Sequence, residues 1–257
     1  MIRSPPTDPG VGPLATGTRR FYAEVMRIIP LLTAPAVALL ALSGCAFVPR
    51  GPVVSEDREI DAVTSVTLDT SGDLTIRQGE PSLVIHAPES VLDRLTSDVS
   101  GDTLVLGVRP GTPGFTVGRV SYELTLPSLE GIEINGSGDV ESNVPGDTLA
   151  ISVDGSGDLD IDDIDTSEVT IEISGSGDVE LSGRTDDFTL SIDGSAEVRA
   201  DELDAARVSI DLDGSGDIEV AASDTLDVSI SGSGSVLYEG SPEVTQEISG
   251  SGEVGRR

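Results

Sequence analysis

The chain has no lysine and no tryptophan, and in 257 residues it has one cysteine, one histidine, three tyrosines and four phenylalanines. Each scarcity closes off a class of protein. A lectin that stacks sugars on exposed aromatic rings has almost no rings to use. The one histidine, His86, stands alone, so chemistry that relies on several imidazoles, as general bases or metal ligands, lacks its material. His86 reads as exposed and inert rather than catalytic. With Cys45 alone, no disulfide can form within the mature chain, and stability must come from backbone ladders and packing. All 15 cationic side chains are arginines, set against 46 acidic ones for a net charge of −31. A surface of that sign repels nucleic acid and anionic lipid, so no nucleic-acid partner is expected. No phosphate loop, nucleophile motif or clustered metal ligands appear, and no cofactor is expected. The longest apolar run, residues 28–42, is interrupted by Pro30 and Pro35. It is shorter than the roughly 20 residues a helix needs to span a bilayer.

That run has a different use. Residues 1–25 are proline-rich, carry Arg19 and Arg20, and show no periodicity. They read as a spurious extension before a true start at Met26, or as a long n-region. From Met26 the chain offers Arg27, the apolar run, and then Leu42-Ser43-Gly44-Cys45. This is the layout of a secretory signal. Its last four residues resemble the lipobox of bacterial lipoproteins, in which the cysteine is lipidated and becomes the new N-terminus. The resemblance implies a signal peptide over 1–44, lipid attachment at Cys45, and the membrane as a partner through that lipid. The location is then the cell envelope, outside the cytoplasm. Residues 45–56, with Pro49, Gly51 and Pro52, read as a lipidated tether.

Beyond the tether the dominant feature is a repeat. Gly-Ser-Gly-Asp occurs at Gly136, Gly155, Gly175 and Gly214, and softened versions occur at Gly194, Gly232 and Gly250. Successive phrases begin roughly 18 to 20 residues apart, a period that marks a solenoid with one coil per repeat. Apolar residues fall on even offsets from the first glycine: Leu149, Ile151, Val153, Leu159 and Ile161 around Gly155, then Val169, Ile171, Ile173, Val179 and Leu181 around Gly175. Odd offsets are mostly Asp, Glu, Ser and Thr. Alternation of this kind predicts strands with one face in and one face out. Each phrase is read as a tight corner in which both glycines (Gly136 and Gly138, Gly155 and Gly157, Gly175 and Gly177, Gly214 and Gly216) lie on inward parity, where a side chain would crowd the bend. Looser turns are expected at 162–167, 182–187, 201–207 and 221–225. The aliphatics of one coil cannot offset the entropy of ordering a whole repeat, so the coils must stack. The predicted fold is all-β: a parallel β-helix (solenoid) over 131–254, with a right-handed coil expected although the pattern itself does not specify a hand. An irregular β-rich cap is expected over 57–130.

Within that cap Thr70-Ser71-Gly72-Asp73, flanked by Val66, Leu68, Leu74 and Ile76, reads as a degenerate first corner. Residues 83–85 read as a short buried strand, 88–96 as the only helix, and 104–108 and 120–126 as strands around a loop at 110–114. Leu124-Thr125-Leu126-Pro127-Ser128-Leu129 then leads into Ile132-Glu133-Ile134-Asn135-Gly136-Ser137-Gly138-Asp139-Val140. Followed by the evenly spaced Gly-Ser-Gly corners, this resembles the head GIN domain family of bacterial surface proteins, the auto-transporter adhesins, over residues 57–254. The resemblance implies a β-helical fold and an envelope location. It carries no catalytic residues to transfer.

The residue at offset three is acidic at Asp139, Asp158, Asp178 and Asp217. Stacked about 4.8 Å apart, neighbouring carboxylates repel by about 0.9 kcal/mol in water. They are weak candidates for a divalent-cation ladder. The stronger reading is that they accept corner N–H bonds and keep the face soluble. Calcium-binding nonapeptide repeats place Asp two residues after the last glycine, whereas Asp158 follows Gly157 at once. The function expected is a non-catalytic envelope lipoprotein whose acidic solenoid serves adhesion, binding or spacing toward an unidentified envelope or extracellular partner. The alternatives are a polysaccharide lyase or hydrolase on a β-helix, and a divalent-cation-binding repeat protein.

Overall fold

Period-two alternation runs through nearly the whole described chain, and the backbone follows it into strands. A computed structural model of the protein describes residues 51–111, 119–144 and 146–257. The signal peptide, Cys45 and the tip of the 110–114 loop lie outside the described residues. The elements, in order, are β1 (Val53–Arg58), β2 (Ser65–Leu68), β3 (Asp73–Gln78), β4 (Ser82–Pro88), α1 (Glu89–Leu92), β5 (Leu95–Ser100), β6 (Thr103–Val108), β7 (Ser121–Leu126), β8 (Gly131–Ile134) and β9 (Val140–Ser142). The repeats supply β10 (Thr148–Gly155), β11 (Leu159–Gly175), β12 (Val179–Gly194), β13 (Glu197–Gly214), β14 (Asp217–Gly232), β15 (Ser235–Gly240), β16 (Glu243–Gly250) and β17 (Glu253–Arg256). All are joined in one 17-stranded sheet, wound as the β-solenoid that the repeat predicts.

The coils stack in parallel and in register. Ile132 lies against Ile151, Ile151 against Ile171, Ile171 against Leu190, Leu190 against Ile210, and Ile210 against Val228. These residues form one buried aliphatic column, and a second runs from Ile134 through Val153, Ile173, Ile192 and Leu212 to Ile230. Like shapes packed on like shapes, within reach of the ladder spacing, close the core that no single coil could build.

The looser turns are not turns. β11, β12, β13 and β14 are 17, 16, 18 and 16 residues long and run through 162–167, 182–187, 201–207 and 221–225 as continuous strands. In a solenoid the hydrogen bonds run between coils, so the chain can bend within a coil while keeping its neighbours. The variable residues are absorbed as bulges, with register shifts between Ile161 and Ile164, Glu180 and Ser182, and Ala200 and Asp204. At the first of these Asp163 takes a φ of 58°. From Leu159 to Gly240 only the corners interrupt the strands.

The cap departs from sequence order. β2 is flanked by β6 on one side and β8 on the other, and β3 by β7 and β9, all parallel. The first coil of the chain is therefore second in the stack, beneath it lying a coil built from the later strands β6 and β7. That terminal coil is closed by antiparallel strands: β5 on β6, β4 on β7, and β1 on β4. The parallel ladder is thus not left with an open edge at this end. β4 is longer than the buried strand read at 83–85, and β5 has no counterpart in the sequence reading. β1 takes up Val53–Glu56, which the sequence placed in the tether. The helix is a single turn, α1, burying Val91 and Leu92. Arg58 satisfies carbonyls at and just beyond the helix's C-terminal end, donating to Leu92 O at 3.2 Å and Leu95 O at 2.9 Å.

Candidate functional site: the corner and its acidic face

The corner explains its own composition. Gly155 has a φ of 148°, and Gly175 and Gly214 have 151° and 146°, a region that L side chains rarely adopt. A Cβ on Gly155 would overlap the carbonyl oxygen of Gly136, one coil back, and a Cβ on Gly157 would overlap that of Gly138. Gly175 meets Gly155 in the same way, Gly177 meets Gly157, and Gly214 meets Gly194. At Gly136 and Gly138 the obstructing carbonyls are those of Thr70 and Gly72, which places the degenerate first corner directly beneath. Gly216 sits over Ala196, the softened corner, with a Cβ approach of 2.7 Å to its carbonyl oxygen. The obstruction therefore lies along the stack. Inward crowding, the reason read from parity, is not what fixes the first glycine, which is only half-buried at Gly155. The barring carbonyl is itself engaged. It accepts the N–H of the next serine, from Ser156 to Gly136 at 3.0 Å, Ser176 to Gly155 at 3.0 Å and Ser215 to Gly194 at 2.9 Å.

The acidic residue completes the corner. Asp139 Oδ1 accepts the N–H of Asp158 at 3.2 Å, and Asp158 Oδ1 accepts that of Asp178 at 3.1 Å. Asp217 accepts the hydroxyl of Ser235. Asp178 is exposed between Asp158 and Glu197. Beyond Asp178 the backbone takes over the same duty, Asp217 N–H reaching Ala196 O at 3.2 Å. Three of the four candidate cation ligands are thus engaged in holding one coil to the next. Among the described residues no three His, Cys, Asp or Glu side chains converge to hold a metal ion.

Beside the corners a second acidic rank, Glu141, Asp160 and Glu180, lines a shallow open groove of about 260 Å³ with Asp139, Asp158 and Asp178. The Asp160 carboxyl is pushed above its ordinary value by partial desolvation, and then by Asp162, Glu180 and Glu141. Arg199 closes the groove, 3.2 Å from Glu180 and 2.6 Å from Glu197. Other arginines pair across coils in the same manner. Arg184 binds Asp165 through two bonds of 2.8 and 2.9 Å, and Arg207 grips Asp187 likewise. These guanidinium bonds hold the Asp165 and Asp187 carboxyls below the usual range. The planar fork suits a bidentate grip that an ammonium cannot give, which fits the absence of lysine. Each of these cross-coil partners stands one repeat period from its arginine, a signal that is legible in the sequence.

Two polar sets in the cap have no such signal. His86 is half-buried rather than exposed: its Nδ1 lies 2.9 Å from Ser55 Oγ on β1, and its Nε2 lies 3.3 Å from Glu123 Oε1 on β7, an ion-pair separation without hydrogen-bond geometry. The three side chains cross-brace three antiparallel strands, with Glu123 itself largely in solvent. Beneath them Tyr122 is fully buried against the first corner. Its hydroxyl and that of Thr70 are neighbours, yet neither has a hydrogen-bond partner among the described residues. Burial raises the Tyr122 phenol above its ordinary value. No helix among the described residues is long and apolar enough to cross a membrane.

Comparison with known proteins matches this geometry to a family. The model of the family described as "Putative auto-transporter adhesin, head GIN domain" covers residues 62–242. No curated protein matches the chain. Among solved structures, a "putative adhesin" from Bacteroides fragilis is 26% identical, with 81% of this chain and 99% of that one covered at a TM-score of 0.78. A "putative lipid binding protein" from Parabacteroides distasonis is 23% identical, covering 81% and 98% at 0.69. A "putative adhesin" from Parabacteroides merdae is 21% identical, covering 80% and 97% at 0.62. The last two speak for the fold alone.

Proposed function

Because the chain belongs to the head GIN domain family, we propose that it is a non-catalytic lipoprotein of the cell envelope whose acidic solenoid serves as an adhesive or spacing surface. The observation that carries this reading is the division of labour within each coil. Inward positions are aliphatic and interchangeable along the stack, and the corner is committed to backbone contacts. What remains for recognition is a set of flat, solvent-facing ranks that vary from coil to coil: Glu133, Ser152, Glu172, Ser191 and Asp211 along one of them. Such a surface suits an extended partner better than a small substrate, which needs a concave site. The groove beside the corners is open, and its carboxylates are spaced by the ladder rather than gathered around one reacting atom.

Lipid attachment at Cys45 would hold this surface outside the membrane. Mass spectrometry of protein from membranes should find diacyl- or triacylglyceryl-Cys45 at the mature N-terminus, and Cys45→Ser should release the chain to the soluble fraction. A Cys45→Ser protein that stays membrane-bound to the same extent would refute the anchor. Cleavage of any member of a polysaccharide panel by the purified chain would refute the non-catalytic reading in favour of a glycan-acting enzyme.

A further inference from the structure

The two ends of the ladder are treated differently. At the cap, antiparallel strands cover the terminal coil. At the other end β16 is paired only with β14, and β17 only with β15; among the described residues nothing pairs their outer edges. The core is correspondingly open there. Ile248 is 38% exposed, whereas Ile230, directly beneath it, is 1% exposed. Arg257 does not cross this end. It folds back along the flank, 2.8 Å from Asp201 and 2.6 Å from Glu219.

We propose that this end docks on the same end of a second copy, β16 lying antiparallel to its counterpart about a twofold axis through Gln246. The sequence of β16 favours that register over those shifted by one residue to either side. With Gln246 on the axis, Val244 faces the partner's Ile248, Thr245 faces the partner's Glu247, and Glu243 faces the partner's Ser249. Inward residues meet inward residues, and each carboxylate meets a hydroxyl. Moving the axis to Thr245 sets Glu243 against the partner's Glu247, and moving it to Glu247 sets two copies of Glu247 face to face, both destabilising pairings. Any pairing centred between two residues turns the inward set outward.

Gln246 itself points to the same partner. It continues the column of Leu190, Ile210 and Val228, where every buried predecessor is aliphatic. An amide both donates and accepts, so two Gln246 side chains on a twofold axis satisfy each other, and a polar pair of this kind fixes register and copy number. The interface is isologous and closes at two copies.

The test uses the full chain. Its mass in solution at micromolar concentration should be that of two copies, and Ile248→Lys should return it to one with an unchanged β-sheet circular dichroism spectrum. Cysteine trapping checks the register even if that variant folds poorly. In a Cys45→Ser background, which has no other thiol, Gln246→Cys should give a disulfide-linked dimer under mild oxidation. Val244→Cys alone should not, but combined with Ile248→Cys it should. A cysteine at Ser191, on the outer face in mid-solenoid, is the control. A single-copy mass for the unaltered chain, an open-ended series of oligomers, or crosslinking at Ser191 as fast as at Gln246 would each overturn the proposal.

Discussion

Replacing Ile171 with aspartate puts the packing scheme under its most direct strain. Ile171 is 0% exposed, with Ile151 on one side along the stack and Leu190 on the other. Truncation to alanine alone would leave a cavity between two rigid ladders, at a cost of about 2–5 kcal/mol for a residue this size. Aspartate adds a carboxyl with no partner in an aliphatic column, which costs more still whether it ionises or takes up a proton. The sum, about 4 kcal/mol or more, approaches the whole stability of many domains. The loss should appear in urea melts as an early transition, because each coil is held by its neighbours and the stack would part at β11. Asp178→Asn, a few residues on in the same coil, is the counterpart. Asp178 is exposed between Asp158 and Glu197. Two repulsions of about 0.9 kcal/mol each in water, roughly halved by physiological salt, disappear. The corner bond to Asp158 uses the backbone N–H and survives. This variant should be neutral or more stable by less than about 1 kcal/mol. If Ile171→Asp is tolerated while Asp178→Asn is crippling, the assignment of inner and outer faces is wrong.

Two further substitutions probe the corner and its acidic groove. Gly155→Ala should destabilise by several kcal/mol, since alanine must both adopt a φ of 148° and displace the Gly136 carbonyl; a melting temperature equal to that of the unaltered chain would remove the stated reason for the glycine. Asp160→Asn should raise the melting temperature at neutral pH and lose that advantage in acid. The Asp160 carboxyl titrates above its ordinary 3.8 in the folded chain, so its ionised form opposes folding once the pH exceeds that value, whereas below it both states are protonated and nothing is gained. A benefit that persists undiminished at about pH 3 would contradict the explanation that the ionised carboxyl, desolvated and set among other acids, opposes folding.

Much of this could be read from the sequence because period-two parity leaves little freedom. The aliphatics named around Gly155 and Gly175 are all buried, and the partners of Ile171 are those its offset implies. The Gly-Ser-Gly corners fell where the phrase occurs, although their cause, a carbonyl one coil away, is a contact between residues a full period apart that parity within a strand cannot express. The same limit hid the cap. β6 and β7 carry no Gly-Ser-Gly between them, so nothing local says that they pass beneath β2 and β3. The predicted loose turns failed for the opposite reason: Asp, Ser and Gly at 182–187 are turn formers locally, but the neighbouring coils keep them in the ladder. Ser55, His86 and Glu123 come from three strands whose antiparallel pairing no repeat announces.

That interleaving makes the two directions along the solenoid unequal as regards length. From β10 onward the backbone of each coil pairs only with its neighbours, and corner meets corner at every interval, so a whole period could be inserted or removed there and the remaining coils would close over the change. At the other end no such editing is open. β2 and β3 are held between strands that come later in the chain, so they cannot be covered on both sides until β9 has been made. Removing them would leave a gap between two coils rather than a shorter stack. The molecule can grow or shrink by repeats in one direction only, outward from a cap that assembles as a unit.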